Sequence, residues 1–141
     1  MPLPTSLDPL SLTGTWELAR VIDDHLADEV SRVEGSTGLT VEDDGRIRWV
    51  ENGTLSRRGV ELPVSRVLFL QRRGERGWFV TFEDGRDFHP WQPGHAVEHR
   101  CAPDHYVGLV EAADGGAWRV TWRVTGPRKD YTMTSTLRRG R

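Results

Sequence analysis

Cysteine occurs once in these 141 residues, at Cys101, so no internal disulfide can brace the fold and burial has to hold it together. That is compatible with a reducing compartment, and Cys101 itself is expected to be a small buried hydrophobe. Lysine also occurs once, and Lys129 stands alone among cations that are otherwise arginine. An excess of one charge sign is missing, because 19 basic and 21 acidic residues leave a formal net charge of −2 with no basic stripe. Nothing there matches a phosphate backbone, so no nucleic-acid partner is expected. Long hydrophobic runs are missing too: no window approaches the roughly 20 apolar residues that span a bilayer. The start of the chain has no basic residues and is interrupted by Pro2, Pro4 and Pro9. Neither a signal peptide nor a membrane contact is expected, which leaves the cytoplasm as the default compartment. There is also no Gly-rich phosphate loop, Gly-x-Ser-x-Gly elbow, paired-cysteine motif or dinucleotide fingerprint. Nucleotide-dependent chemistry and serine hydrolysis are disfavoured, and no cofactor is expected.

What is present is alternation. Short runs of period two, bounded by Gly, Asp, Asn and Pro, recur along the chain. Gly14 to Asp23 places Trp16, Leu18 and Ile22 on one face, with Arg20 at the same parity. His25 to Val33 carries Leu26, Val30 and Val33 at helical spacing, which predicts a turn of helix or an ordered loop. A strand from Glu34 to Glu42 leads to the hairpin signal Asp43-Asp44-Gly45. Ile47 and Trp49 alternate through Arg46 to Glu51, and Asn52-Gly53 is a second turn signal. Leu62 to Gln71 reads as a strand too continuously apolar for its faces to be assigned. Trp78, Val80 and Phe82 form the next inward set, followed by the turn at Asp84-Gly85. Pro90 and Pro93 predict an edge or a break, and His95, Val97, His99 and Cys101 share the next face. After Tyr106 to Glu111, the last two strands alternate Trp118, Val120, Trp122 and Val124, then Tyr131, Met133, Ser135 and Leu137.

About 8–10 short strands without a crossover helix predict an all-β fold in which sequence neighbours pair. A sheet that long curls, and a closed antiparallel up-and-down β-barrel removes its edges. The chain length suits one such domain, residues 12–141, after an N-terminal extension, residues 1–11. Gly14-Thr15-Trp16 resembles the Gly-x-Trp signature of lipocalins and related calycin barrels. The resemblance implies that Trp16 closes one end under a basic side chain from the last strand, Arg138 or Arg139, of which Arg139 shares the parity of Leu137. More of the chain, roughly Gly14 to Arg138, is similar to a bacterial and fungal family of lipocalin-like domains with no assigned function. The similarity rests on Gly14-Thr15-Trp16, on Asp84 to His89, on His99 to Gly108 and on Trp122 to Tyr131. It implies the barrel and lends no activity.

Several side chains are candidates for chemistry, each with a plainer reading beside it. Arg128 and Lys129 are placed to clamp an anion at the barrel mouth, or else to be solvated charges on the bend set by Gly126-Pro127. An imidazole ordinarily titrates near neutral pH, which makes His89 and His99 candidates to move a proton on a bound ligand; as the alternative they are partly buried and hydrogen-bonded. Tyr106 and Tyr131 are candidates of the same kind, or packing aromatics at the rim. His95 and His105, with Cys101 and Asp104, add zinc-type ligands, but His95 and His99 are ~13 Å apart on a strand and only His99 and Cys101 approach, at ~7 Å. No metal site is expected. Trp49, Trp78, Trp118 and Trp122 have inward parity and either line a cavity or fill a solid core. Arg20 and Glu51 share that parity, and a buried charge wants a partner or water.

Three functions follow from a barrel so built. The first is a binding protein for a small hydrophobic or aromatic ligand, acids included. The second is a cofactor-free isomerase or cyclase acting on a small organic substrate inside the barrel. The third is a filled barrel acting through protein contacts. Under any of the three the protein is expected to be a monomer or a homodimer, the edge near Pro90 and Pro93 leaving room for the pairing.

Overall fold

The alternation becomes ten antiparallel strands: β1 (Gly14–Asp24), β2 (Glu29–Val41), β3 (Ile47–Arg57), β4 (Val60–Arg72), β5 (Trp78–Phe82), β6 (Asp87–Pro90), β7 (Val97–Cys101), β8 (Asp104–Ala112), β9 (Trp118–Thr125) and β10 (Asp130–Arg139). This is the arrangement in the computed structural model, which describes residues 7–140. Every strand pairs with its sequence neighbour except at one seam, and β1 pairs with β10 to join the two halves, giving the order β6-β5-β4-β3-β2-β1-β10-β9-β8-β7. The result is a nearly closed up-and-down barrel. β6 and β7 are its two ladder edges, and side chains bridge them: the His99 ring lies 5.2 Å from Phe88 and 5.6 Å from Phe82. The edge expected at Pro90 is therefore present, as the end of a strand that has only one partner.

One end of the barrel is plugged. The chain enters through a short 3-10 turn, Pro9–Leu12, and Leu12 is buried under the first strand. The Trp16 indole N–H donates to the Leu12 carbonyl at 2.8 Å, and the Trp91 indole N–H donates to the Leu7 carbonyl at 2.8 Å. The Arg139 guanidinium lies 3.9 Å above the Trp16 ring and donates to the Thr13 and Ser11 carbonyls. It thus takes the covering position implied by the Gly-x-Trp resemblance. Gly14 has to be glycine here: its φ is +117°, and a Cβ would stand 2.8 Å from an Arg139 nitrogen. Trp16, Trp49, Trp91 and Trp118 then pack edge to face, with centroids 5.7–6.3 Å apart. This end is solid core.

Three local expectations are corrected. Residues 29–33 are not helical: β2 begins at Glu29, and Val33 is buried while Leu26 and Val30 are exposed. Pairing with β1 overrides a helical spacing too short to nucleate. Asn52-Gly53 is not a turn but the middle of β3, where Gly53 lies opposite Gly35. A Cβ on Gly35 would fall 1.9 Å from the Asn52 carbonyl oxygen, so the glycines permit close strand approach and the turn comes later, at Arg58-Gly59. Cys101 is exposed rather than buried, because it ends β7 at the open rim.

Candidate ligand-binding site

At the other end the interior is not filled. Here lie the β1–β2, β3–β4, β5–β6, β7–β8 and β9–β10 turns. A cavity of about 180 Å³ is lined by Leu18, Val33, Val64 and Met133 above a polar floor of Arg20, Glu51 and Arg66. An open recess of about 460 Å³ on the opposite side is lined by Phe82, Phe88, His99 and Tyr106, and Arg66 is a wall of both. β3 and β4 run past the rim, and their projecting inner face is apolar: Leu62 lies opposite Leu55, and Val60 and Leu62 are more than half exposed.

The floor is a charge cluster. Glu51, only 3% exposed, accepts two hydrogen bonds from the Arg20 Nη2 at 2.9 and 3.1 Å and one from the Arg66 Nε at 3.1 Å. The Trp49 indole N–H donates to its other oxygen at 3.2 Å, and Arg20 Nε donates to the Ser135 hydroxyl at 2.7 Å. Burial pushes the Glu51 carboxyl up, but Arg66 and Arg20 outweigh it and hold the group below the usual carboxylate range. Arg20 and Glu51, expected to need partners, are thus each other's. Arg66 is a candidate residue the sequence pattern missed, since it stands in the run whose faces could not be assigned. Only its registry opposite Glu51 in the paired strands puts it on this floor.

The aromatic wall depends on one irregularity. Val80 pairs with His89 and Thr81 with Asp87, so a bulge at Phe88 turns both Phe88 and His89 toward the lumen. Phe88 stacks on Phe82 (4.6 Å) and on Trp122 (4.9 Å, planes 10° apart), and His89 meets the same Trp122 edge to face at 5.1 Å. Strict alternation would have put Phe88 outside, which is why sequence reading passed it over. Gly108 makes room for this stack, because a Cβ there would lie 2.6 Å from the Trp122 ring. His89 is buried, and its Nδ1 lies 2.8 Å from the Pro90 carbonyl, so Nδ1 carries the proton and Nε2 is a bare acceptor. Burial pushes this imidazole down to about 4, against the Pro90 hydrogen bond and with help from His99 and Arg66.

The rim holds a second polar group. Lys129 donates to the Tyr106 hydroxyl at 2.9 Å and pairs with Asp104 at 3.1 Å, and these bonds raise the lysine further. Gly126 accommodates Asp104, whose Oδ1 would be 2.2 Å from a Cβ at that glycine. Two of the sequence pieces singled out above, His99 to Gly108 and Trp122 to Tyr131, thus fold into one cluster. With Lys129 bonded to its oxygen, Tyr106 keeps its own O–H proton for another partner. Tyr131 is half-buried beside them, and burial raises its phenol.

Other candidate positions fall elsewhere. Arg128 is exposed and makes no ion pair among the described residues, so it does not join Lys129 in a clamp. Trp118 fills the plugged end, Trp49 packs against it while its indole N–H reaches the Glu51 floor, and Trp78 borders a surface recess with Leu10 and Val41; Trp122 stands in the wall of the open half. Among the described residues no group of three or more His, Cys, Asp or Glu side chains comes together to hold a metal ion, and no helix is long and apolar enough to cross a membrane.

Fold and site together define an up-and-down β-barrel plugged by tryptophans at one end and open over an arginine–glutamate floor at the other. The chain belongs to DUF6314, a family of unknown function, which it matches over residues 12–139. Among solved structures, the S-type phycobiliprotein lyase CPES from Guillardia theta is similar, with a TM-score of 0.67 and 13% identity over 99% of this chain and 94% of that one. A redesigned β-barrel, mFAP1, bound to DFHBI, matches with a TM-score of 0.49 and 14% identity over 95% of this chain and 100% of that one. A search of the curated proteins finds no match.

Proposed function

We propose that this barrel is a binding protein for a small organic molecule with an apolar or aromatic body, held in the open half between the aliphatic wall and the Phe82–Phe88–Trp122 stack. The observation that carries the reading is the division of the interior. Four tryptophans pack one end solid, while the other keeps two recesses that share Arg66 as a wall, the larger of which, about 460 Å³, falls in the roughly 300–1,000 Å³ range of ligand pockets. A barrel acting only through protein contacts has no need of such a hollow. The fold shared with a phycobiliprotein lyase does not choose between carrier and catalyst, because function lies in the site.

The choice between them rests on His89. A general base works best with a pKa near the operating pH, and an imidazole held at about 4 is a weak one. As a neutral acceptor it orients a ligand well, which favours binding over proton transfer. The test is tryptophan fluorescence titrated with a panel of hydrophobic and aromatic compounds, beside a Val64→Trp variant that fills the cavity. Saturable quenching in the wild type and none in the variant is the expected result. No response to any compound, with no ligand-induced rise in Tm, would overturn the reading.

A further inference from the structure

We propose that the ligand is an organic acid whose carboxylate sits on Arg66; this rests on the binding reading above and specifies its chemistry. The floor holds two guanidinium groups and one carboxylate, so it carries one net positive charge in a largely apolar enclosure. Arg20 is the enclosed one: its side chain is 10% exposed, with its Nε on Ser135 and its Nη2 on both oxygens of Glu51. Arg66 is the open one. Its Nε and Nη2 both go to one Glu51 oxygen, and although neither arginine's Nη1 has a partner among the described residues, the Arg66 side chain is one-third exposed and faces both recesses.

No other carboxylate answers that charge. Glu51 already receives Arg20, Arg66 and Trp49. Asp87, on the outer recess, is held in a two-pronged pair with Arg73, and Asp104 is held by Lys129. The remaining charged groups of that recess are Arg86, paired with Asp84 at 2.8 Å, and Arg100, 3.7 Å from Glu98, so neither competes with Arg66 as an unanswered charge. A charge left over in a recess with apolar walls is stabilised by an incoming opposite charge that also takes up its unbonded N–H groups. One unit of net charge and one accessible guanidinium edge fit a monoanion, which selects a carboxylate over a phosphate dianion.

The experiment is calorimetric titration with 2-naphthoate and with 2-naphthamide, which share a shape and differ in charge. It is run on the wild type and on Arg66→Gln, Arg66→Lys and Arg128→Gln, each checked for an unchanged fold by circular dichroism. The wild type is expected to bind the acid roughly tenfold to a hundredfold more tightly than the amide, as a charge-assisted hydrogen bond implies. Arg66→Gln erases that preference while still binding the amide, Arg66→Lys keeps part of it, and Arg128→Gln keeps all of it. Equal binding of acid and amide by the wild type, or a preference that survives Arg66→Gln or disappears in Arg128→Gln, overturns the proposal and leaves the binding reading standing. Binding of neither compound by the wild type counts against the binding reading itself, and this proposal falls with it.

Discussion

Lowering the pH should destabilise this protein through His89 in a way that one substitution removes. The unfolded imidazole takes up its proton near 6.5, whereas in the barrel burial holds it at about 4. Between those values the unfolded chain carries more protons than the folded one, so stability is fully present above about 6.5 and declines as the pH falls toward 4. At about 1.4 kcal/mol per pKa unit, the loss between pH ~7.5 and pH ~4.5 comes to about 2.5 kcal/mol from this one group. The assay is urea denaturation at both pH values for the wild type and for His89→Asn, whose amide N–H can still donate to the Pro90 carbonyl but does not titrate. Carboxylates titrate in both proteins and cancel in the comparison. The wild type should lose about 2.5 kcal/mol more than the variant. Parallel losses would show that His89 is not held neutral and would refute the assignment of a bare Nε2 facing the lumen.

Two further substitutions probe the two ends. Gly108→Ala drives a methyl group into the Trp122 ring, at 2.6 Å from its nearest carbon. It should cost about 1–3 kcal/mol and alter the near-ultraviolet circular dichroism of the Phe88–Trp122 stack; an unchanged spectrum would show that the stack does not depend on that space. Arg139→Ala removes the cation above Trp16 and two hydrogen bonds to carbonyls of the entering chain. A loss of about 1–2 kcal/mol in urea denaturation is expected, with Trp16 emission shifted to longer wavelength. Full stability in this variant would mean that Leu12 and Trp118 seal the end unaided.

Much of the barrel was legible because a strand with one buried face writes its period into the sequence. Trp118, Val120, Trp122 and Val124 needed no structure to be placed on one face, and the Asp-Gly pairs at residues 44–45 and 84–85 turn where glycine at positive φ allows it. The same reasoning misread Asn52-Gly53. Glycine serves a turn and a close strand crossing equally, and only the neighbouring strand, with Gly35 opposite, distinguishes them. It placed Cys101 inside because parity is blind to where a strand passes the rim. It could not place Arg66, since a continuously apolar run has no alternation to read, nor Phe88, since a bulge breaks the period at the point where two successive side chains are needed on one wall.

The sequence by itself therefore determined the class of fold and the presence of inward charges, through local periodicity. The plug was implied by the resemblance of Gly14-Thr15-Trp16 to the Gly-x-Trp barrels. Whether the inside was solid or hollow, which arginine was left open to the recesses, and which aromatics faced the hollow were decided only by tertiary structure. Those outcomes depend on the register between β3 and β4 and on strands of unequal length meeting around a circle. Register is set by the packing of all the strands together, and no single segment carries it.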